Sequence, residues 1–376
     1  MTRTDSGRFD TVIIGGGQAG LAVGYHLTRQ RQSVVILDAG DRVGDPWRER
    51  WDSLRAFTPA RYDGLPGWSF PAPGWSYPTK DEVADYLESY AARFRLPVRP
   101  GIRVDGLHSG DGGYVVASGR SRYEADSVVV ATGGYQAPRI PEFATELDPD
   151  IVQLHSSEYR NATQLRAGDV LVVGAGNSGA EIAVEAAAEH PTWLSGRDTG
   201  QEPVRAGGLA DRFLTPPFWF LLSRVLSVRT PLGRRVRRQL SGHGLPLARV
   251  RKKDVVRAGV ERVPRVTGVR DGLPMLEDGT VLKPRTVIWC TGFVTDFSWI
   301  DLPVFDQDGE PRHERGVVRS HPGLYFVGLF FLSSGASSLI GGVGRDAQRI
   351  ARHVASQGAG PRARPHSPLT SERAAD

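Results

Sequence analysis

Short apolar runs followed by small residues occur at two places in the chain, where a buried strand is expected to turn into a helix. The first, VIIGGGQAGLAV at residues 12–23, begins with the β-branched residues typical of a buried parallel strand. The second, LVVGAGNSGAEIA at residues 171–183, repeats this plan and predicts a helix over residues 180–188. Each stretch therefore predicts a strand–turn–helix unit of an α/β domain.

Glycines at a fixed spacing fill the turn of both units. In the spacing G-x-G-x-x-G, the glycines allow a tight turn, a close approach of the backbone to a pyrophosphate, and close packing of helix on strand. The helix that follows offers free backbone N–H groups to phosphate oxygens. The residues predicted to bind two dinucleotides are Gly15, Gly17, Gln18, Ala19 and Gly20 in the first unit, and Gly174, Gly176, Asn177, Ser178 and Gly179 in the second.

The residue that follows the next strand of each unit differs in charge. Asp38 lies 23 residues after Gly15, near the distance expected for an acid that binds a ribose hydroxyl, whereas Arg197 lies 23 residues after Gly174. An acid accepts hydrogen bonds from a free 2′-hydroxyl, and an arginine attracts a 2′-phosphate. We therefore expect FAD on the first unit and NADPH on the second, with the Ser195 hydroxyl as a further phosphate ligand. The alternatives are a plain glycine turn with a solvated Asp38, and a solvated surface Arg197.

The rest of the pattern predicts how the two units are joined. Short β-type runs with Gly-rich turns follow each unit, and each series ends in an apolar strand and a Thr-Gly pair. These features predict an α/β fold with two Rossmann-like dinucleotide-binding domains, the NADPH domain inserted in the FAD domain, each with a small antiparallel β-meander. The expected ranges are 1–160 and 289–356 for the FAD domain, 161–288 for the NADPH domain with a basic insert at about 205–258, and 357–376 for a disordered tail. Further predicted cofactor contacts are Val104, Thr132, Gly133, Thr291, Gly292 and Gly328.

Cysteine and histidine usage narrows the class of protein. The chain has 376 residues and one cysteine, Cys290, which excludes a disulfide scaffold and an internal redox dithiol. The nine histidines show no zinc-ligand spacing. The sequence contains neither a secretory signal nor a run near the roughly 18 apolar residues of a membrane span, so a cytoplasmic location is expected.

The net charge of +5 is concentrated in one segment. Residues 224–270 hold 14 lysines or arginines and two acids, and no nucleic-acid-binding module is recognised. Just before them, Phe218, Trp219 and Phe220 lie in a run with an apolar helical face. Three interpretations stay open: a lid over an apolar substrate pocket, a membrane-surface or partner contact, and a solvated basic helix with an ordinary buried face.

The chain resembles the flavin-containing monooxygenases over about residues 9–355. The resemblance rests on the two glycine units in this order, and on ATGG at 131–134, HSSEY at 155–159 and TGF at 291–293. It implies that FAD binds the first unit and NADPH the second. It also implies that reduced flavin reacts with dioxygen to form a C4a-peroxide, which bound NADP⁺ shields.

The resemblance implies roles for residues outside the glycine units. Trp47 and Arg48 are expected near the flavin. His155 and Tyr159 fall on a family signature between the domains, and both are expected at the catalytic site. The site is thus expected to form where the two domains meet.

The chain departs from the family pattern at two places. The upstream Phe and Gly of the signature are replaced by Pro149 and Ile151. Phe57 stands where many members carry an asparagine close to the flavin peroxide. The adjacent Thr58 is expected to take over that catalytic role.

The sequence thus predicts an NADPH- and FAD-dependent monooxygenase that acts with O2 on a small, rather apolar molecule. N- or S-oxygenation and Baeyer–Villiger insertion stay open. The alternatives are a flavin reductase or oxidase that passes electrons to a quinone or O2, and a flavin-binding sensor or interaction protein. A homodimer stays open, and a membrane-surface contact is not favoured.

Overall fold

Both glycine units form the strand–turn–helix motif that their sequence predicts, and they lie in two separate sheets. The computed structural model describes residues 7–202, 206–208, 210–240 and 245–358. The predicted tail therefore lies outside the described residues from residue 359 onwards.

The first part of the chain forms one sheet and the helices that cover it. The elements are β1 (Gly7–Ile14), α1 (Gln18–Arg29), β2 (Val34–Leu37), α2 (Asp45–Arg48), α3 (Lys80–Arg93), β3 (Val98–Arg99), β4 (Gly106–Gly110), β5 (Gly113–Ser118), β6 (Ser121–Val130) and β7 (Ala137–Pro138). The α3 helix begins with a capping box, in which the Thr79 hydroxyl accepts from the Glu82 backbone and the Glu82 carboxylate accepts from the Thr79 backbone.

The middle of the chain forms a second sheet and a helical segment. Its elements are β8 (Val152–His155), β9 (Val170–Val173), α4 (Asn177–Ala186), β10 (Thr192–Ser195), α5 (Asp211–Phe220), α6 (Pro231–Leu240), α7 (Lys252–Arg257), β11 (Glu261–Val263), β12 (Val266–Arg270), β13 (Leu273–Leu276) and β14 (Thr286–Trp289). A π-helical turn, Leu221–Val225, continues α5. The last elements are β15 (Phe293–Val294), β16 (Leu324–Phe326) and α8 (Val343–Gly358).

The first sheet has seven strands and combines distant parts of the chain. Its order is β3-β2-β1-β6-β5-β4, and β16 pairs in parallel with the carboxyl-terminal half of β6. β5 pairs with the other half of β6 in the antiparallel sense. α1, α3 and α8 contribute to one buried core on this sheet, whose centre includes Ile13, Leu21 and Ile350. The final strand and helix thus complete the layer that carries the first glycine unit.

The second sheet is parallel throughout, in the order β11-β10-β9-β14-β8. All its strands come from residues 152–289. Between the two sheets, β7 pairs with β15 in an antiparallel ribbon, Ala137 opposite Val294. The two passages of the chain between the sheets therefore run side by side, the first of them earlier than the crossing expected near residue 160.

The two predicted meanders differ in the structure. β4, β5 and β6 form the first meander as expected. The second was wrong in part, because β11 joins the edge of the parallel sheet beside β10 and only β12 and β13 pair as an antiparallel hairpin. β11 has only three residues, Glu261–Val263, and its sequence does not distinguish a meander strand from an edge strand of the parallel sheet.

Candidate functional site

The first glycine unit forms a cradle that is tight at two glycines and open at the third. Gly15 has a φ of +109°, and a Cβ there would lie 2.6 Å from the carbonyl oxygen of Ala131. A Cβ at Gly20 would lie 1.9 Å from the carbonyl oxygen of Gly15. A Cβ at Gly17, which precedes the first turn of α1, would meet no atom within 4 Å. The open space therefore lies at the end of the helix where backbone N–H groups attract a phosphate.

Asp38 lies beside this cradle, directly after β2. Its Oδ1 accepts from the Gly40 backbone at 2.8 Å, and its Oδ2 accepts from the Gly16 backbone. These two hydrogen bonds hold the carboxylate against the glycine turn. Asp38 is thus in place for the predicted contact with a ribose hydroxyl.

Residues from the end of the chain close on the same helix. A Cβ at Gly328 would lie 2.8 Å from the Cβ of Ala19, so the segment after β16 touches the first turn of α1. Gln18 is half-buried in this turn. The Thr132 hydroxyl accepts from the Gln136 side chain at 2.8 Å. The segment after β16 thus packs on the first cradle, and the Gln136 side chain fixes the loop after β6.

Val104 and Gly133 are two further residues that the sequence predicts to contact the cofactor of the first cradle. Val104 is half-buried and packs on the second face of the sheet. The backbone that leads to it is held at the cradle, because the amide of Ile102 donates to the carbonyl of Asp38 at 2.8 Å. Gly133 follows β6 with a φ of +69°.

The second glycine unit repeats the geometry of the first. A Cβ at Gly174 would lie 2.2 Å from the carbonyl oxygen of Cys290, and one at Gly179 would lie 1.7 Å from the carbonyl oxygen of Gly174. A Cβ at Gly176 would meet nothing within 4 Å. Ser178 is half-buried in the first turn of α4, and its side chain forms no hydrogen bond with the described residues. This helix therefore also presents an open N-terminus.

Arg197 lies on the surface after β10, at the carboxyl end of the parallel strands. Among the described residues, its guanidinium forms no hydrogen bond and no ion pair. Asp198, its neighbour, is bound to Lys252, and this ion pair lowers the pKa of the Asp198 carboxyl. The acid that could compete for the arginine is thus already neutralised.

The Ser195 hydroxyl does not take the role that the sequence suggested. Ser195 is fully buried, donates to the carbonyl of Pro264 at 2.8 Å and accepts from the Val266 backbone at 3.0 Å. Both contacts fasten β10 to the chain between β11 and β12. A buried hydroxyl with two protein partners cannot reach a phosphate at the surface.

Asn177 has a contact that its position in the glycine unit did not reveal. Its Oδ1 accepts from the Ala248 backbone at 2.8 Å, and its Nδ2 donates to the carbonyl of Pro246 at 3.0 Å. Farther along α4, Glu181 pairs with Arg249 at 3.4 Å. The first half of α4 thus anchors the segment at residues 245–249.

Trp47 and Arg48 lie between the first sheet and the second, but they face different surroundings. Trp47 is half-buried and packs against both hydrophobic cores. Arg48 forms ion pairs with Asp85 and Glu88 of α3, each at 3.0 Å, and donates to the carbonyl of Val43 at 2.7 Å. The Arg48 guanidinium therefore holds α2 against α3.

His155 connects the end of β8 to the second chain passage. Its ring is fully buried, its Nε2 donates to the carbonyl of Gly292 at 3.0 Å, and its Nδ1 lies 2.8 Å from the Ser157 hydroxyl. Burial lowers the pKa of the imidazole, so the neutral form is favoured. The edge of Phe293 meets this ring at a centroid distance of 4.9 Å. The hydroxyl of Thr291 donates to the carbonyl of Arg139, which joins the same two passages.

Tyr159 is equally buried. Its hydroxyl donates to Oε1 of Glu185 at 2.9 Å, and its ring packs with Trp51 and Leu54. The expectation that His155 and Tyr159 belong to the catalytic site is therefore not supported. Both side chains are enclosed by protein partners, and both position the joint between the two sheets.

A largely apolar cavity of about 290 Å³ lies between the first turn of α4 and the helical segment formed by α5 and the π-helical turn. Thr58 lines it from the loop after α2, and Asn177 lines it from the first turn of α4. Its other walls come from α5, the π-helical turn, Tyr77 and the loops at 201–202, 245–248 and 330–339. The main side chains are Phe57, Tyr77, Glu202, Asp211, Phe218, Trp219, Leu222, Leu245, Phe331 and Leu339.

The family of this chain follows from its similarity to one known protein family. The model described as pyridine nucleotide-disulphide oxidoreductase matches residues 12–199, half of the chain. This match covers both cradles. The chain belongs to the pyridine nucleotide-disulphide oxidoreductase family.

Relatives and solved structures place this oxidoreductase more narrowly. An uncharacterised CzcO-like oxidoreductase of Geobacillus kaustophilus is 39% identical over 350 residues, 92% of this chain and 98% of the relative. The probable indole-3-pyruvate monooxygenase YUCCA3 of Arabidopsis thaliana is 27% identical and covers 92% of this chain and 86% of its own. The structure of a flavin-containing monooxygenase from Stenotrophomonas maltophilia has a TM-score of 0.72 at 29% identity, over 94% of this chain and 99% of that one. The expected membership of the flavin-containing monooxygenases is confirmed.

Two further observations concern membrane spans and metal ligands. Among the described residues, no helix is long and apolar enough to cross a membrane. No group of three metal-ligating side chains occurs in the same part of the chain.

Asp63 is a feature of this flavoprotein that no sequence signal revealed. Its side chain is fully buried behind the cavity wall and accepts a hydrogen bond from the Thr58 hydroxyl. Its Oδ2 is buried and has no partner among the described residues. Burial raises the pKa of this carboxyl to about 7, and the Thr58 hydrogen bond offsets only part of that shift.

The Asp63→Asn substitution is expected to stabilise the protein at neutral and alkaline pH. The folded-state pKa of about 7 exceeds the ordinary value of 3.8, so folding becomes less favourable as the pH rises from about 4 to about 7. Asparagine keeps the shape without the buried charge, and we expect a gain on the order of 2 kcal/mol at pH 8. Thermal unfolding at pH 5 and pH 8 measures it. A gain that is equal at both pH values, or that also appears in the exposed control Asp308→Asn, would contradict this interpretation.

Asp211 fastens α5 over the cavity. Its carboxylate accepts from the Tyr77 hydroxyl, from the Gly207 backbone at 3.0 Å and from the Thr215 hydroxyl. Burial, followed by the charge of Asp211, raises the pKa of Glu202 to about 7. Two carboxyl groups thus lie in a wall that is otherwise mostly apolar, and neither was identified from the sequence.

Proposed function

We propose that this protein oxygenates a small, rather apolar molecule in the cavity beside the first turn of α4. The observation that carries the proposal is that the cavity is lined both by Thr58, from the part of the chain that carries the first cradle, and by Asn177, from the helix of the second cradle. A substrate in this cavity would contact both cofactor-binding parts of the chain. The cofactors of the protein are FAD, which binds the first cradle, and NADPH, which binds the second. FAD reduced by NADPH supplies the electrons that activate dioxygen.

The residues of the two cradles are suited to these cofactors. The open helix ends at Gly17 and Gly176 would receive the two pyrophosphates. Asp38 would accept from the ribose of FAD, and Arg197 would pair with the 2′-phosphate of NADPH. Thr132, Gly133 and Gly328 would complete the flavin site. Thr291 and Gly292 lie at the joint between the sites.

The domain organisation supports the same function. We propose an FAD domain with an inserted NADPH domain, as the sequence predicts, but with the first boundary before residue 152 instead of at residue 160 and the second near residue 289. The pairing of β16 with β6 and the ribbon of β7 and β15 support this arrangement. The strand β8 pairs with β14, so the first boundary precedes β8.

The helical segment excludes water from the reacting molecule. Phe218 and Trp219 of α5 line the cavity, and the Trp219 ring lies 5.0 Å from that of Tyr62. Phe220 is 62% exposed and lies outside this cavity, so of the three aromatics in the lid interpretation only Phe218 and Trp219 line it. An apolar wall of this kind prevents loss of the oxidising equivalents to water. We therefore assign α5 and the π-helical turn as the lid.

The Phe218→Ala substitution is expected to uncouple the reaction, because a large side chain is removed from the cavity wall. We expect the hydrogen peroxide formed per NADPH oxidised to rise about fivefold or more, while the rate of flavin reduction stays within twofold. Peroxide and NADPH are measured together in air. The matched control is Phe220→Ala, two residues away and outside the cavity. Equal peroxide yields in both variants would contradict the lid.

One observation favours a second candidate, an NADPH oxidase. Phe57 lines the cavity without a hydrogen-bond donor, and the Thr58 hydroxyl already donates to Asp63. Stopped-flow absorbance separates the two functions: the protein is reduced with NADPH without air and mixed with oxygenated buffer. A long-lived near-ultraviolet species before oxidised flavin returns supports the monooxygenase. Direct return of oxidised flavin with immediate hydrogen peroxide, also with candidate substrates present, supports the oxidase.

A further inference from the structure

A second cavity, of about 540 Å³, lies on the other side of the π-helical turn. It is bounded by this turn, the loop at 227–230, the loop at 333–334 and one face of α8. Six arginines line it: Arg224, Arg229, Arg315, Arg345, Arg349 and Arg352. None of its lining residues belongs to either glycine cradle or to the predicted cofactor contacts.

The positive charge of this arginine cavity is poorly compensated. The buried acid beside it, Asp346, accepts from Arg349 at 2.7 Å and from the Ser333 hydroxyl. Both hydrogen bonds go to Oδ1, and the buried Oδ2 has no partner among the described residues. Glu314, next to Arg315 in the chain, pairs instead with Arg319. Six guanidinium groups thus face one cavity beside a single buried carboxylate. Guanidinium groups this close together repel one another unless an anion lies among them.

Several guanidinium groups keep their donors available. Arg224, Arg229, Arg315 and Arg352 form no side-chain hydrogen bond or ion pair within the described part of the chain. The Nε atoms of Arg315 and Arg349 are buried and without a partner there. Buried donors are normally satisfied, so these two mark a place where an acceptor is missing.

The arginine cluster is unfavourable in both its backbone conformation and its electrostatics. Arg315 has a φ of +52°, a left-handed conformation that is uncommon for a residue other than glycine. Burial, and then the charge of Arg349, lower the pKa of Arg315. Burial and the charge of Arg224 lower the pKa of Arg345. Strained, crowded cations of this kind are characteristic of binding sites rather than of ordinary surfaces.

We infer that the arginine cavity binds an anion with two or more closely spaced phosphate groups, at a site separate from the FAD and NADPH cradles. Planar guanidinium groups bind phosphate oxygens in pairs, and several of them around a concave site match a multiply charged anion better than a single carboxylate. The enclosed shape favours a compact group over the extended backbone of a nucleic acid. Two of the six arginines come from the basic segment at residues 224–270, which thereby acquires a function.

Titration with inorganic pyrophosphate tests the site. The FAD-loaded protein is saturated with NADP⁺, so that both cradles are occupied, and binding is followed by calorimetry. We expect a Kd that weakens with added salt, and weakens about tenfold or more in each of Arg229→Ala and Arg352→Ala. Both side chains are exposed and without partners among the described residues, so unchanged thermal unfolding is expected. Arg235→Ala and Arg238→Ala, which remove the same charge from exposed positions of α6 outside the cavity, are the matched controls.

Vesicles distinguish a soluble phosphate compound from a lipid headgroup. Cosedimentation with phosphatidylcholine vesicles, with and without a phosphorylated phosphatidylinositol, is measured for the same four variants. Retention on the phosphorylated vesicles that is lost only in the two cavity variants assigns the site to a headgroup. Pyrophosphate binding without vesicle binding assigns it to a soluble compound. No pyrophosphate binding, or equal weakening in the control variants, overturns the inference.

Discussion

Replacing Gly17 with alanine is expected to weaken FAD binding at least a hundredfold while the apoprotein stays folded. The position has an extended backbone with φ −75°, which alanine adopts freely, and a Cβ there meets no protein atom within 4 Å. Only a ligand that approaches the helix N-terminus would encounter the new methyl group. Displacing a pyrophosphate from several backbone N–H groups costs about 3 kcal/mol or more, which corresponds to that factor. Flavin fluorescence during titration of the apoprotein measures the Kd.

Gly20→Ala provides the matched comparison, because it acts on the fold instead of the ligand. Its Cβ would lie 1.9 Å from the carbonyl oxygen of Gly15, so helix and strand must separate. We expect a loss of about 3 kcal/mol or more in the free energy of unfolding of the apoprotein. Unaltered FAD affinity in Gly17→Ala would show that phosphate does not bind at this helix end. Equal losses of apoprotein stability in both variants would show that the space at Gly17 is not open.

Arg197→Ala is expected to weaken NADPH binding by about 10- to 100-fold and to change NADH binding by less than twofold. The guanidinium lies at the carboxyl end of β10, without a partner among the described residues, and the competing Asp198 is paired with Lys252. A charge-assisted hydrogen bond to a phosphate contributes about 1.5–3 kcal/mol, and the variant loses this bond to NADPH. NADH has no 2′-phosphate, so its binding does not depend on the bond. The rate of anaerobic flavin reduction against nucleotide concentration gives both Kd values.

Lys283→Ala serves as the control for charge alone. Lys283 is exposed and precedes β14, so it lies at the amino end of the parallel strands, the edge opposite to Arg197. We expect both nucleotides to bind this variant as they bind the unchanged protein. Equal loss of NADPH and NADH affinity in Arg197→Ala would refute the assignment of the 2′-phosphate to this residue.

The cradles could be predicted because their requirements are local. The tight positions at Gly20 and Gly179 follow from contacts within one strand–turn–helix unit, with the carbonyl oxygens of Gly15 and Gly174. In each unit, the length of the helix between the two strands determines the position along the chain of the residue that follows the second strand. The spacing along the chain therefore located Asp38 and Arg197 as well as the glycines.

The roles of single polar side chains could not be predicted in the same way. Ser195 and His155 lie at positions that a binding motif would use, yet the structure fills their hydrogen bonds with Pro264, Val266 and Gly292. Whether a side chain faces a ligand depends on the backbone that packs against it from a distant part of the chain. A sequence motif determines the position of a residue along its own strand or helix. It does not determine which group that side chain hydrogen-bonds.

The sequence by itself determined two dinucleotide cradles, their order, the charge beside each and the family, because each depends on residues close together in the chain. The tertiary structure alone decided what lies between and around them. Thr58, Asn177 and Phe218 meet in one cavity only because three separate segments converge, and Asp63 loses its water only because the loop around it closes. The arginine cavity likewise combines residues from 224 to 352. Burial and the convergence of distant charges are properties of packing, and no spacing along the chain encodes them.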